Sequence, residues 1–313
     1  MSRQRESIQA LSEAKAGNNG KAQPPADLVI VDDPAVEAYS LDALRDKVVV
    51  GNALDVLKKV PEESVDLVFV DPPYFLQLPK KELRRWNVKT VVEGVNDPWD
   101  KFESFEKYDE FIRNLLAETR RVMKPNATIW VIATYHSIFR IGAVMQDLGY
   151  WLLNDVHWVK TNPMPNWLGV RFTNATETLI WAVKDKKAKK YTFDKARAKE
   201  SGIGKVAANV WVLPICTGRE RLKDERGKKL HSTQKPLELM QRVLLTSTRE
   251  GDLVLDPAAG VGTTGYAARA LNRRFIMIEI NPKYVEGMRK RFRTAPHLER
   301  RRRPEKSVSG PAV

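Results

Sequence analysis

Short apolar runs alternate with amphipathic segments along most of the chain, and strand-like runs are repeatedly followed by helix-like ones. "KVVV" (47–50) is a β-branched run that turns at Gly51-Asn52 into a short helical segment, and "SVDLVFVDPP" follows as a buried strand. Neither proline of Pro72-Pro73 has an N–H for a ladder, so that strand ends near Val70 and leaves Asp71 at its carboxyl tip. "KYDEFIRNLLAETRRVMKP" sets Tyr108, Phe111, Ile112, Leu115, Thr119 and Val122 on one helical face, with Pro125 as the stop. "ATIWVIAT", "WLLNDVHWVK" and "TETLIWAVK" read as strands, and "SIFRIGAVMQDLG" as a helix closed by glycine. Then come a helix, "PLELMQRVLLTST"; a strand, glycine loop and helix, "DLVLDPAAGVGTTGYAARALN"; a strand, "RFIMIEI"; and a helix, "NPKYVEGMRKRF". There is no internal repeat. This alternation predicts an α/β fold: a mostly parallel sheet with helices on both faces.

The pattern fails in four places, which set the expected organisation. Residues 1–40 are rich in Ser, Gln, Ala, Asn and Gly and read as a disordered N-terminal arm. Residues 75–101 form a long irregular stretch just beyond Asp71, with "KKELRR" and Trp86, and read as a DNA-contacting loop. Residues 185–230 are dense in cations interleaved with Tyr191, Phe193 and Trp211. That mixture is read as a target-recognition insertion that meets nucleic acid, in preference to a small satellite core. Residues 294–313 read as a basic, disordered tail. The catalytic body is thus expected over residues 41–293.

Charge sharpens this picture. The 53 Lys+Arg against 39 Asp+Glu give +14, and a chain this basic usually meets a polyanion. Cys216 is the single cysteine and the four histidines are scattered, so neither a disulfide within the chain nor a metal site is expected. No signal peptide or membrane-length apolar run is visible, which predicts a cytoplasmic protein with no membrane partner.

Two motifs carry chemistry. In "LVLDPAAGVGTT" a strand runs into Gly260-x-Gly262 and a helix, and "MIEI" ends the next strand with Glu279. Glycines let a ligand approach the backbone, and an acid at the second strand's tip can accept both hydroxyls of a ribose. The motif is not GxGxxG and no phosphate-binding lysine follows, so a nucleoside cofactor without a pyrophosphate fits best. S-adenosylmethionine answers that description.

The second motif is Asp71-Pro72-Pro73-Tyr74, a tetrapeptide expected by chance on the order of 0.002 times in such a chain. The exocyclic amine of adenine is a poor nucleophile because its lone pair is delocalised, and it must rehybridise to attack a methyl sulfonium. A carboxylate and a backbone carbonyl, each accepting one N–H, stabilise the charge that develops in that change. Asp71 supplies the carboxylate, the fixed φ of Pro72 holds the carbonyl, and Tyr74 offers a ring to stack on a base taken out of the duplex. Transfer would be direct, with no covalent enzyme intermediate.

These residues resemble the amino-group DNA methyltransferases, whose catalytic motif is "DPPY" and whose cofactor loop corresponds to "DPAAGVGTT". Asp71 precedes Asp256, the order of the β class, which implies a Rossmann-like class I methyltransferase fold with a circularly permuted sheet. "HSTQKP", "NDPWDKFESFEKYD", "LNDVHWVKTNPMPN", "ATETLIW" and "ICTGRERLKDE" look like the cell-cycle-regulated adenine-N6 methyltransferases that modify GANTC. The resemblance implies Asp71, Pro72, Pro73 and Tyr74 as catalytic residues. It implies cofactor contacts from Asn52 and Ala53 beside the adenine, Asp71, Asp256, Ala258, Gly260, Gly262, Thr263 and Thr264, and Glu279 on the ribose. Thr233 and Lys235 would reach the cofactor's carboxylate. Double-stranded DNA is the implied partner, and a homodimer the implied assembly. Cytosine-N4 methylation uses the same acceptor geometry and stays open. So does a catalytically weak DNA-binding protein that keeps the fold, because aromatic residues usually follow Asp-Pro where this chain has Ala258 and Ala259.

Overall fold

Nine strands form one sheet in the computed structural model, which describes residues 28–31, 35–76, 83–84, 91–92, 98–166, 169–201 and 206–294. In chain order they are β1 (Val29–Val31), β2 (Lys47–Val50), β3 (Val65–Val70), β6 (Met123–Ala133), β7 (Trp151–Lys160), β8 (Thr176–Val183), β9 (Val210–Leu213), β10 (Leu253–Asp256) and β11 (Arg274–Glu279). A separate two-stranded pair joins β4 (Leu83–Arg84) to β5 (Val91–Val92). The order across the sheet is β1-β2-β11-β10-β3-β6-β8-β7-β9. Two strands from late in the chain, β10 and β11, thus lie between β2 and β3 from its beginning, which is the permuted arrangement. Neighbours from β1 to β6 are parallel; β8 runs antiparallel to both β6 and β7, and β9 is parallel to β7.

Side chains alternate across the pleat and so build two cores. Val68 and Val70 of β3 face a cluster with Tyr108, Ile112, Leu115 and Val122 of the helix Phe105–Val122. Leu67 and Phe69 face the other, with Leu239, Met240 and Val243 of the helix Leu237–Ser247. The fold is α/β with helices on both faces, as the alternation required.

Three expectations change. The helix after residue 104 ends at Val122, not at Pro125, which lies inside β6. The β3–β6 register passes from Val65↔Met123 to Leu67↔Thr128, so Pro125 sits in the irregularity, where its missing N–H costs no ladder bond. Val29–Val31, within the stretch read as an arm, is the edge strand of the sheet and pairs in parallel with β2. Within 185–230, β9 is the opposite edge strand, so this segment is built into the sheet as well as inserted.

The aromatics there are unequally buried, and Phe193 is 46% exposed. Trp211 is buried, with its ring 5.6 Å from that of Trp130, and Tyr191 and Phe193 pack around Trp181 at 5.8 and 5.4 Å. The expected disorder of residues 1–27 and 295–313, and the role given to most of 75–101, concern residues outside the described ones.

Candidate active site

Parallel pairing brings the carboxyl ends of β2, β11, β10 and β3 to one edge, where α/β sheets bind ligands. A cavity of about 300 Å³ opens there. Its walls include every residue singled out in the sequence except Gly262: Asn52 and Ala53 after β2, Asp71 to Tyr74 after β3, Asp256 at the end of β10, and Ala258, Gly260, Thr263 and Thr264 after it. Glu279 on β11 and the segment with Thr233 and Lys235 complete it.

The loop Asp71–Leu76 has no regular structure, so its backbone needs outside partners. Asp100 supplies them. Its Oδ1 accepts the N–H of Tyr74 at 2.6 Å and of Phe75 at 2.8 Å, and its Oδ2 accepts that of Leu76 at 2.9 Å. The Tyr108 hydroxyl donates to the Pro73 carbonyl at 2.9 Å. Phe75 adopts a left-handed φ of 49° and packs against Phe102, Phe105 and Tyr108. One buried carboxylate thereby fixes the shape of the turn that follows Asp71.

Asp71 itself faces a cation. Lys235 Nζ donates to Oδ1 at 3.0 Å and Oδ2 at 2.7 Å, and the Tyr74 hydroxyl donates to Oδ1 at 2.8 Å. Tyr74 OH also lies 3.3 Å from Oε2 of Glu177, whose carboxylate pairs with Lys160 at 2.9 Å. Burial raises the Asp71 carboxyl above its ordinary range even though Lys235 pulls it down. Glu177 shows the opposite balance: burial raises it, but Lys235 and Lys160 together leave it lowered. Tyr74, expected to stack on a base taken out of the duplex, is buried, with the Lys235 ammonium 5.1 Å above its centroid. Lys235, expected on a cofactor carboxylate, is bonded to Asp71 in this structure.

The glycine loop is tied to the acids beside it. Glu279 Oε2 accepts the N–H of Gly260 at 2.7 Å and Oε1 that of Asn281 at 2.8 Å, while Asp256 Oδ1 accepts that of Ala258 at 3.1 Å. Burial pushes both carboxyls up to about 7. Gly262, at φ 72°, caps the helix Thr263–Ala270, and a Cβ there would stand 2.9 Å from Met288 Cγ. Gly262→Ala is therefore expected to lower stability by about 1–3 kcal/mol, from left-handed strain plus crowding, as a reduced denaturation midpoint.

The segment 231–236 is braced from behind. Arg221 donates to the carbonyls of His231 at 2.9 Å and Ser232 at 3.2 Å, and Gln234 bonds Leu222 N and Glu220 O. His231 stacks on Trp99 with centroids 5.8 Å apart and meets Tyr284 edge-on at 4.7 Å. Burial, with Lys235 and Arg221, holds its imidazole down at about 3 and hence neutral. Trp99, Asp100, Glu177 and Tyr284 were not picked out from the sequence as site residues. "NDPWDK" holds the first two and "ATETLIW" the third, stretches that the resemblance includes without giving these residues a role.

Among the described residues no helix is long and apolar enough to cross a membrane, and no group of three or more His, Cys, Asp or Glu could hold a metal.

The permuted sheet, the Asp-Pro-Pro-Tyr turn and the glycine loop at one edge define an amino-group methyltransferase of the class I fold. Residues 65–290 match the DNA methylase family N6_N4_Mtase, and the chain belongs to it. It is a DNA methyltransferase. It is 49% identical over 243 residues to the Type II methyltransferase M.HinfI of Haemophilus influenzae, covering 78% of this chain and 67% of the relative. Type II methyltransferase M2.DpnII of Streptococcus pneumoniae is 40% identical over 236 residues, 75% of this chain and 85% of the relative. Among solved structures, the M1.HpyAVI–SAM complex superposes with a TM-score of 0.57 at 26% identity over 78% of this chain and 97% of that one. The cytosine-N4-specific PvuII DNA methyltransferase (TM-score 0.61, 22% identity, 81% and 87% coverage) shares the fold.

Proposed function

We propose that Asp71, Pro72, Pro73 and Tyr74 carry methyl transfer to the N6 amino group of an adenine turned out of double-stranded DNA, with GANTC as the target. The observation that carries this reading is a single cavity that joins the Asp71 turn to the glycine loop and its two acids. S-adenosylmethionine is the methyl donor, and when bound it supplies an electrophilic methyl sulfonium. The walls suit it. Its sulfonium and ammonium are cationic, and Asp71, Asp256 and Glu279 are carboxylates on the cavity wall.

In this reading Asn52 and Ala53 border the cofactor's adenine, and Glu279 meets the ribose. Asp256, Ala258, Gly260, Gly262, Thr263 and Thr264 form or support the loop beneath it, and Thr233 lies toward its methionine end. Asp71 accepts one amino N–H and the Pro72 carbonyl the other, which favours the pyramidal nitrogen of the transition state. Asp100 and Tyr108 hold the backbone of that turn in place before the base arrives.

A pH dependence follows. Asp256 and Glu279 lie near 7, so both are largely protonated below that pH and ionised above it. A cationic ligand prefers the ionised forms. S-adenosylmethionine affinity is expected to rise as pH passes upward through about 7, measured by calorimetry on either side. A flat profile would remove these acids from the site.

The target is tested by protection. Plasmid DNA treated with enzyme and donor is expected to resist a nuclease that cuts unmethylated GANTC and to stay sensitive at unrelated sites. Methylation without that pattern would keep the enzyme and discard GANTC. The homodimer is likewise part of the proposal by resemblance, and sedimentation distinguishes it from a 35.7 kDa monomer.

A further inference from the structure

Four charged side chains form a closed set beside the cavity: Asp71 after β3, Lys160 on β7, Glu177 on β8 and Lys235 ahead of the helix Leu237–Ser247. Their side chains are only 6–17% exposed. Lys160 is committed to Glu177 at 2.9 Å. Lys235 stands between the two acids, bonded to Asp71 at 2.7 Å and 3.8 Å from Glu177. Two acids and two ammonium groups leave the set neutral.

An N–H donated to Asp71 is the contact that the target amine has to make. Oδ1 already accepts from both Lys235 and Tyr74, and the shorter Lys235 bond falls on Oδ2, the oxygen with the greater remaining capacity. A charge-assisted bond is roughly twice as strong as a neutral one, so an incoming amine cannot displace Lys235 by its own hydrogen bond. Moving the ammonium into an apolar wall would strand a buried charge. Glu177 removes that penalty, because Lys235 can exchange one carboxylate for another within the same set.

We propose that Lys235 is a displaceable stand-in for the target amino group, and that Glu177 is the positioning residue that receives it when the base enters. The proposal rests on the role assigned to Asp71 above. It also moves Lys235 from the cofactor's carboxylate to the acceptor side of the site. Without a base, Lys235 keeps Asp71 ionised and aimed; with one, the Lys235–Glu177 contact frees the Oδ2 lone pairs.

The groups around Asp71 give the pH signature. Tyr74 faces it from its own loop, Lys235 from the segment backed by Arg221 and His231, Glu177 from β8 with Lys160 behind, and Asp256 from β10. Burial raises the Asp71 carboxyl, Lys235 lowers it and Glu177 raises it. Replacing Glu177 by glutamine removes one repulsive charge and also leaves Lys235 with no second acid. Asp71 then ionises at lower pH but is released less readily.

Single-turnover methyl transfer with saturating S-adenosylmethionine and duplex DNA, followed across pH, reads both effects. For Glu177→Gln the plateau rate is expected to fall roughly ten- to a hundredfold while the acidic limb moves to lower pH. Glu177→Asp restores part of the plateau. Lys235→Met is expected to move the limb upward while donor affinity stays within about threefold, since little binding energy is lost. A Glu177→Gln plateau that is unchanged, or that falls with an unmoved limb, overturns the proposal. So does a Lys235→Met variant that loses donor affinity with no shift of the limb. A wild-type enzyme that transfers no methyl group to DNA removes the functional reading and this proposal together; an active wild type with an unaffected Glu177→Gln removes the proposal alone.

Discussion

Asp71→Asn is expected to lower methyl transfer by about 10²–10³-fold, the range for removing one preorganised group that meets developing charge. Asparagine keeps one acceptor oxygen but brings an NH₂ and no charge. It cannot balance the positive charge that grows on the attacking nitrogen, and a wrongly turned amide opposes its N–H. Donor binding is expected to fall far less than the rate, because the glycine loop, Asp256 and Glu279 are untouched. Lys235 loses a buried partner, and breaking a buried pair outright costs about 3–5 kcal/mol. Glu177 at 3.8 Å should take up part of that loss, so the variant is expected to fold. Comparing the denaturation midpoint and donor affinity with the rate separates lost chemistry from lost structure. A rate within tenfold of wild type would contradict the assigned role.

Asp100→Ala carries the second large effect. One carboxylate, only 7% exposed, serves three consecutive backbone donors, those of Tyr74, Phe75 and Leu76. Bonds to a charged acceptor contribute about 1.5–3 kcal/mol each, and they are not additive when one group makes them all. A stability loss of about 3–5 kcal/mol is expected, measured by denaturant unfolding. The left-handed Phe75 loses the contacts that hold it, the turn loosens, and the rate falls along with stability. Asp100→Asn, which keeps one acceptor oxygen, should lie between. A loss below about 1 kcal/mol would show that the turn is held by its aromatic packing instead.

What the sequence made legible follows from which interactions are local. Pro72-Pro73 ends a strand by removing two donors, so the position of Asp71 at a carboxyl tip could be read directly. The glycine loop and Glu279 belong to one strand–helix–strand unit, and their pairing through Gly260 N–H is a short-range consequence of it. Asp100 was not legible, because it acts across 24–26 residues of irregular chain that no periodicity describes. The partner of Lys235 lies 164 residues away, and a lysine beside a cofactor site fits a carboxylate on the ligand as well as one on the protein. Segment 185–230 was legible as basic and aromatic but not as part of the sheet, because exposed cations and the buried Trp211 of β9 average to one basic, aromatic run. Trp211 is distinguished only by its place on β9, whose four residues are too few to show a period. Pro125 misled for a different reason, since a bulge accepts the proline that a regular strand would reject.

The most direct measurement is nucleoside analysis by mass spectrometry after incubating duplex DNA with the enzyme and isotopically labelled S-adenosylmethionine, with Asp71→Asn alongside. The expected product is labelled N6-methyladenine, abundant with the wild type and nearly absent with the variant. Label in N4-methylcytosine would contradict the assignment of the target base, and equal labelling by both proteins would contradict the role of Asp71.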